Sequence, residues 1–256
     1  MKEFFGIGGY TREPEGYLSW QHLLFVTSLV AVMIALAVIL GIKNKNKEYS
    51  QKNKVIIASA ILINVIEIFK IIMLCIANED PMRWTYELPL FLCSIQLIAL
   101  PIAAFSKGRF KDAALDFVFI FGLLGALLGT YAAGNNYAAY PVLSIDNVAS
   151  GITHTISGFA SLYIAISGMA SMKKKNIPIT FSILGAFCIL AYVANIIIDY
   201  NYMFLMRADG TPYQILYDLL GGHAVLYPCS VVALFIVYIS LYYFIYYLVT
   251  KKKAHA

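Results

Sequence analysis

Two residues of this sequence carry types that do covalent chemistry together: Cys93 and His154. A thiol is a weak nucleophile at its free pKa of about 8.5, and a neighbouring imidazole activates it by taking the proton. Gln96 follows Cys93 by three residues, so on a helix it shares the thiol's face and offers an amide N–H to a developing oxyanion. Pro89 predicts the start of that helix, where its missing N–H costs nothing. Cys93 then sits one turn in, near the positive end of the helix dipole. A plainer reading stands beside this one: a free cysteine in an apolar helix packs as a small hydrophobe. Cys75, Cys188 and Cys229 are read that way, and the absence of a CxxC pair points to neither a zinc ribbon nor a disulfide framework.

The elements that must position these groups follow from composition. The chain has 256 residues, 61% of them hydrophobic and 13% charged, with mean hydropathy +0.74. A soluble domain carries about 45–50% apolar and about 25% charged residues, so a water-soluble enzyme and a disordered chain are both excluded. One helical crossing of a bilayer needs about 20 apolar residues. Seven such stretches are expected, at 18–42, 55–77, 88–105, 113–133, 150–172, 179–200 and 222–250, making residues 1–256 a single all-α polytopic membrane domain. The first run is too long for the apolar region of a cleavable signal, so it is kept as a span.

Charge gives the orientation. The segments Lys43–Lys54, Lys107–Lys111, Lys173–Lys175 and Lys251–Lys253 hold fourteen of the nineteen Lys and Arg and fall on one side if spans alternate. Basic excess marks the cytoplasmic side, which predicts an outside N-terminus, a cytoplasmic C-terminus and a multi-pass protein of the cell membrane. The net charge of +5 is thereby read as anchoring beside anionic lipid rather than as a nucleic-acid footprint.

Polar residues are costly in hydrocarbon and need a partner or a task. Asn64, Glu67 and Lys70 recur every third residue of the second span, where Glu67 and Lys70 can pair. With the predicted orientation, Glu67, Lys70, His22, Gln96, Cys93, His154, Asn195, Asp199 and His223 all fall toward the outer side of their spans, and Asn64 lies one turn further in. Asn201 and Tyr202 follow the sixth span on the same side. The simplest account is a pocket opening outward. Three functions remain open for it. One is Cys93/His154 acyl transfer. Another is a metal-dependent lipid hydrolase drawing ligands from His22, His154, His223 and Asp199 or Glu67, although no HxxxH or HxxE spacing is present. The third is a lipid- or small-molecule-binding protein or transporter without chemistry, with no inverted repeat to favour a transporter.

Several segments together resemble the YwaF-like bacterial integral membrane proteins, which are related to the transmembrane protein 164 acyltransferase. The matching pieces are Ser19-Trp20-Gln21-His22, Glu67, Leu88-Pro89-Leu90-Phe91-Leu92-Cys93, His154 and Asn201-Tyr202-Met203-Phe204-Leu205. Phe91 and Ser94 stand where relatives often carry His and Asp. The resemblance implies a membrane acyltransferase that moves a fatty acyl chain between phospholipid and lysophospholipid, with Cys93 as acyl acceptor, His154 as its base, and no cofactor or metal.

Overall fold

A single helical turn at Lys2–Phe5 (α1) precedes the first long helix, which Ser19 starts by accepting a hydrogen bond from the His22 N–H. The computed structural model describes residues 2–254. Met1, His255 and Ala256, which the single-domain reading includes, lie outside them, as do the side chains of the basic run Lys251–Lys253. Among the described residues the structure is all-helical. The long helices are α2 (Trp20–Asn44), α3 (Tyr49–Ala77), α5 (Gly108–Tyr131), α7 (Ile145–Ser167), α8 (Ile177–Ile198) and α10 (Leu226–Ala254). Between them lie the shorter α4 (Gln96–Phe105), α6 (Gly134–Ala139) and α9 (Gln214–Leu219). Five stretches are long and apolar enough to cross a membrane: Trp20–Asn44, Tyr49–Ala77, Gly108–Ala139, Lys174–Ile198 and Leu226–Thr250. Large apolar side chains such as Leu24, Ile39, Ile68, Ile196 and Val237 lie exposed along them, as lipid-facing surfaces require.

The chain divides into two compact units, one ending at Ser171 and one beginning at Met172. In the first, α7 is the central helix, packed by α5, α2 and α3. Its Asp146, Asn147, Thr153, Ser157 and Ser161 are buried against protein, so the helix tolerates a polar composition that a lipid-facing span does not. In the second, Thr180 of α8 and Tyr243 of α10 meet through their hydroxyls at 3.2 Å, and Tyr247 donates to the Met172 carbonyl at 2.6 Å.

Two expectations are corrected. The stretch 88–105 is not one helix: α4 begins only at Gln96 and, at ten residues, rises about 15 Å, half the hydrocarbon thickness. Pro89 therefore lies in a turn rather than opening a helix. Ser94 Oγ accepts from the Phe91 N–H and donates to the Phe91 carbonyl, both at 3.0 Å, closing the turn that carries Cys93. In α10, Pro228 falls in the first turn, where no intrahelical bond is lost. Within α4, Pro101 leaves the Leu97 carbonyl without its usual donor, and Asn64 of α3 supplies one at 3.0 Å.

Candidate functional site

The site is built on a stripe of glycines. Gly122, Gly125 and Gly129 recur at helical spacing along one face of α5. A Cβ on Gly125 would lie 3.2 Å from the Cβ of Cys93, and one on Gly129 would overlap the Cδ2–Nε2 edge of the His154 ring. A Cβ on Gly122 would lie 2.7 Å from the Ser157 carbonyl of α7. One bare helix face therefore seats the nucleophile candidate and the base candidate a single turn apart. Seated there, the Cys93 thiol and the His154 imidazole act electrostatically on one another.

The tautomer follows from the other ring nitrogen. His154 Nδ1 is 2.7 Å from the Ser150 carbonyl, which can only accept, so Nδ1 carries the proton and Nε2 is left as the basic nitrogen. Cys93 precedes α4 by three residues, so its sulfur lies near the N-terminal end of that helix. Gln96 at the start of α4 is fully buried, and neither its amide oxygen nor its nitrogen has a partner among the described residues. Such atoms are rare in native proteins because each forfeits its hydration without compensation. The thiol, the basic imidazole nitrogen, the N-terminal end of α4 and the unspent amide form the chemistry available to acyl transfer.

Behind His154 lies a buried ionic network. Lys70 Nζ is 2.7 Å from Glu67 and 3.0 Å from Glu87, while Arg83 reaches Glu87 at 3.4 Å. The expected Glu67–Lys70 pair is thus present and carries a third member, and Glu67 acts electrostatically on the His154 ring. Sequence reasoning missed Glu87. Its signal was position: an acid immediately before the Leu88-Pro89 turn, facing a lysine one helix away.

Other expected site residues are occupied elsewhere. His22 is fully buried; its Nδ1 accepts from the Leu18 N–H at 3.1 Å, and its Nε2 donates to the Thr130 carbonyl at 3.1 Å. With its ring 3.9 Å from that of Tyr137, it clamps the start of α2 to the end of α5. Asn64 spends its amide N–H groups on the Ala60 and Leu97 carbonyls.

In the second unit, Asn195 makes a reciprocal pair with the Tyr202 backbone, at 3.0 and 2.6 Å, and Tyr202 is fully buried. Asp199 is the left-handed C-cap of α8. Asn201 donates to the Arg207 carbonyl and to Asp209, and accepts from the Met206 and Arg207 N–H groups. His223 Nδ1 accepts from the N–H groups of Val225 and Leu226 at the start of α10. These four polar residues shape backbone. Among the described residues no three His, Cys, Asp or Glu gather as metal ligands, and both outer histidines of the metal reading, His22 and His223, are engaged in such bonds.

No curated protein and no solved structure matches the chain. The family model of the TMEM164 family matches residues 17–246, a range that contains Cys93, His154 and the whole glycine stripe. This multi-pass membrane protein therefore belongs to the TMEM164 family.

Proposed function

We propose that the chain is a phospholipid acyltransferase that carries a fatty acyl group on Cys93 as a thioester. The reading also takes the seven stretches as crossings, the third made by the irregular 88–95 segment together with α4, with the N-terminus outside, the basic loops cytoplasmic and the site facing the outer leaflet of the cell membrane. In the first half-reaction, His154 Nε2 takes the thiol proton and the sulfur attacks the ester carbonyl of a phospholipid. The tetrahedral oxyanion is met by the Gln96 amide and the Cys93 N–H. Its collapse forms the thioester and breaks the ester C–O bond, and His154 returns the proton to the departing lysolipid hydroxyl. In the second half-reaction a different lysolipid hydroxyl gives its proton to Nε2 and attacks the thioester. The C–S bond breaks, and the thiol recovers its proton.

The observation that carries this reading is the seating of thiol and imidazole against adjacent turns of one glycine face, with the imidazole tautomer already set for proton removal. Belonging to a family of which one relative is regarded as an acyltransferase supports it. The test is direct. Purified chain incubated with phospholipid bearing a labelled acyl group gains that acyl mass on a peptide containing Cys93, and the adduct is released by hydroxylamine. Cys93→Ala loses both adduct and transfer; a Cys93→Ala protein that transfers at the unchanged rate would end the proposal.

A further inference from the structure

The N-terminal segment lines a cavity whose walls do not include Cys93. It has a volume of about 140 Å³ and is lined by Phe5, Tyr10, Tyr140 and Asp146, with Leu74 from the last turn of α3 and its C-cap Asn78. Asp146 is 7% exposed. Its Oδ2 accepts from the Tyr10 hydroxyl at 3.0 Å. Burial, with the Asp146 carboxylate adding to it, pushes the Tyr10 phenol above its ordinary range, so the hydroxyl remains a neutral donor to the acid.

The neighbouring charges leave this carboxylate over. Lys70, Arg83 and Glu87 all act on Asp146, but Lys70 is held by Glu67 and Glu87, and Arg83 by Glu87. Three acids thus face two cations, and Asp146, which has no ion-pair partner among the described residues, is the one that lines the cavity. Two further features favour positive charge there. The rings of Tyr10 and Tyr140, 5.8 Å apart and steeply tilted, offer π surface, and α3 ends at the cavity with its negative dipole end. The volume resembles that of a cavity known to admit benzene, about 150 Å³, which is also ample for a small alkylammonium group.

We propose that this cavity is a binding site for an organic ammonium group, with Asp146 as counter-ion and Tyr10 and Tyr140 as the aromatic walls. The ammonium can belong to a lipid head group or to a free amine, and the site is independent of the chemistry at Cys93. On α7, Asp146 and His154 are eight residues apart, about 12 Å of rise, so the two sites are separate on one helix.

Binding is measured on the full chain by calorimetry with short-chain dialkyl-ether phospholipids, which have no ester for Cys93 to attack. Head groups are choline, ethanolamine and glycerol, and free choline and ethanolamine form a parallel series. The ammonium-bearing probes bind the wild type, and Asp146→Asn weakens them about tenfold while leaving the glycerol lipid unchanged. Tyr140→Leu, which keeps the acid, weakens them several-fold and serves if Asp146→Asn fails to fold. Selectivity among the lipids assigns the site to a head group. Asp146-dependent binding of free amines alone assigns it to a soluble amine and equally upholds the site. Ammonium binding that is undetectable, or unaltered in the folded variants, overturns the proposal.

Discussion

Two regions of this molecule bury polar side chains at similar cost and use them in opposite ways. In the second unit, Asn195 and Asn201 spend their amides on backbone groups between Tyr202 and Asp209, and these bonds hold a tight turn in which Met203 and Phe204 both adopt positive φ. In the first unit, the Gln96 amide has no partner among the described residues, His154 spends only Nδ1 on the Ser150 carbonyl, and Asp146 spends only Oδ2 on the Tyr10 hydroxyl. The difference teaches that burial alone does not mark a site. What separates architecture from chemistry is hydrogen-bonding capacity that the fold leaves unspent, because a protein gains no stability from it.

Substitutions sharpen that contrast. The largest effect is expected from Gly129→Ala, which adds a methyl where the His154 ring lies. Loss of a positioned base costs about 10²–10⁴-fold in rate. Acyl transfer should fall by about 10³, and alkylation of Cys93 by iodoacetamide at neutral pH should slow in parallel. Undiminished transfer would show that the ring's seat is not needed.

Next, Gln96→Leu removes the unspent amide at nearly constant volume. Transfer should drop about 10²-fold, the lower range for an oxyanion donor, while thermal stability stays level or rises. Asn195→Leu is the mirror case. It strands the Tyr202 backbone N–H and carbonyl and should destabilise the chain by about 2–4 kcal/mol, read as a lowered unfolding midpoint in detergent. Equal losses of stability in the two variants would erase the distinction. The smallest effect is expected from Asn64→Ala, about 1–2 kcal/mol, since one carbonyl freed by Pro101 loses its donor.

Much of this was legible in the sequence, for identifiable reasons. Hydrophobic runs located every long helix, because a bilayer leaves the chain few alternatives. Glu67 and Lys70 announced their pairing by spacing. Cys93 and His154 stood out as the reactive types in one predicted layer. The turn at 88–95 was not legible, because an apolar string with one proline satisfies both a helix start and an irregular segment. Asp146 and Tyr10 were also missed: they meet only after the N-terminal segment folds back across 136 residues of sequence. His22, Asn195 and His223 had the right types and the right depth. Their real partners are backbone groups, to which sequence spacing gives no access.

The bond from Asn64 to Leu97 has a mechanical meaning. Asn64 lies one turn from Glu67 along α3, and Leu97 directly follows Gln96. A single amide thus acts as a bolt between two helices, setting their register. A slip of one turn, about 5.4 Å, would carry Glu67, which acts on the His154 ring, out of step with Gln96. The proline in the short helix supplies the socket into which that bolt fits.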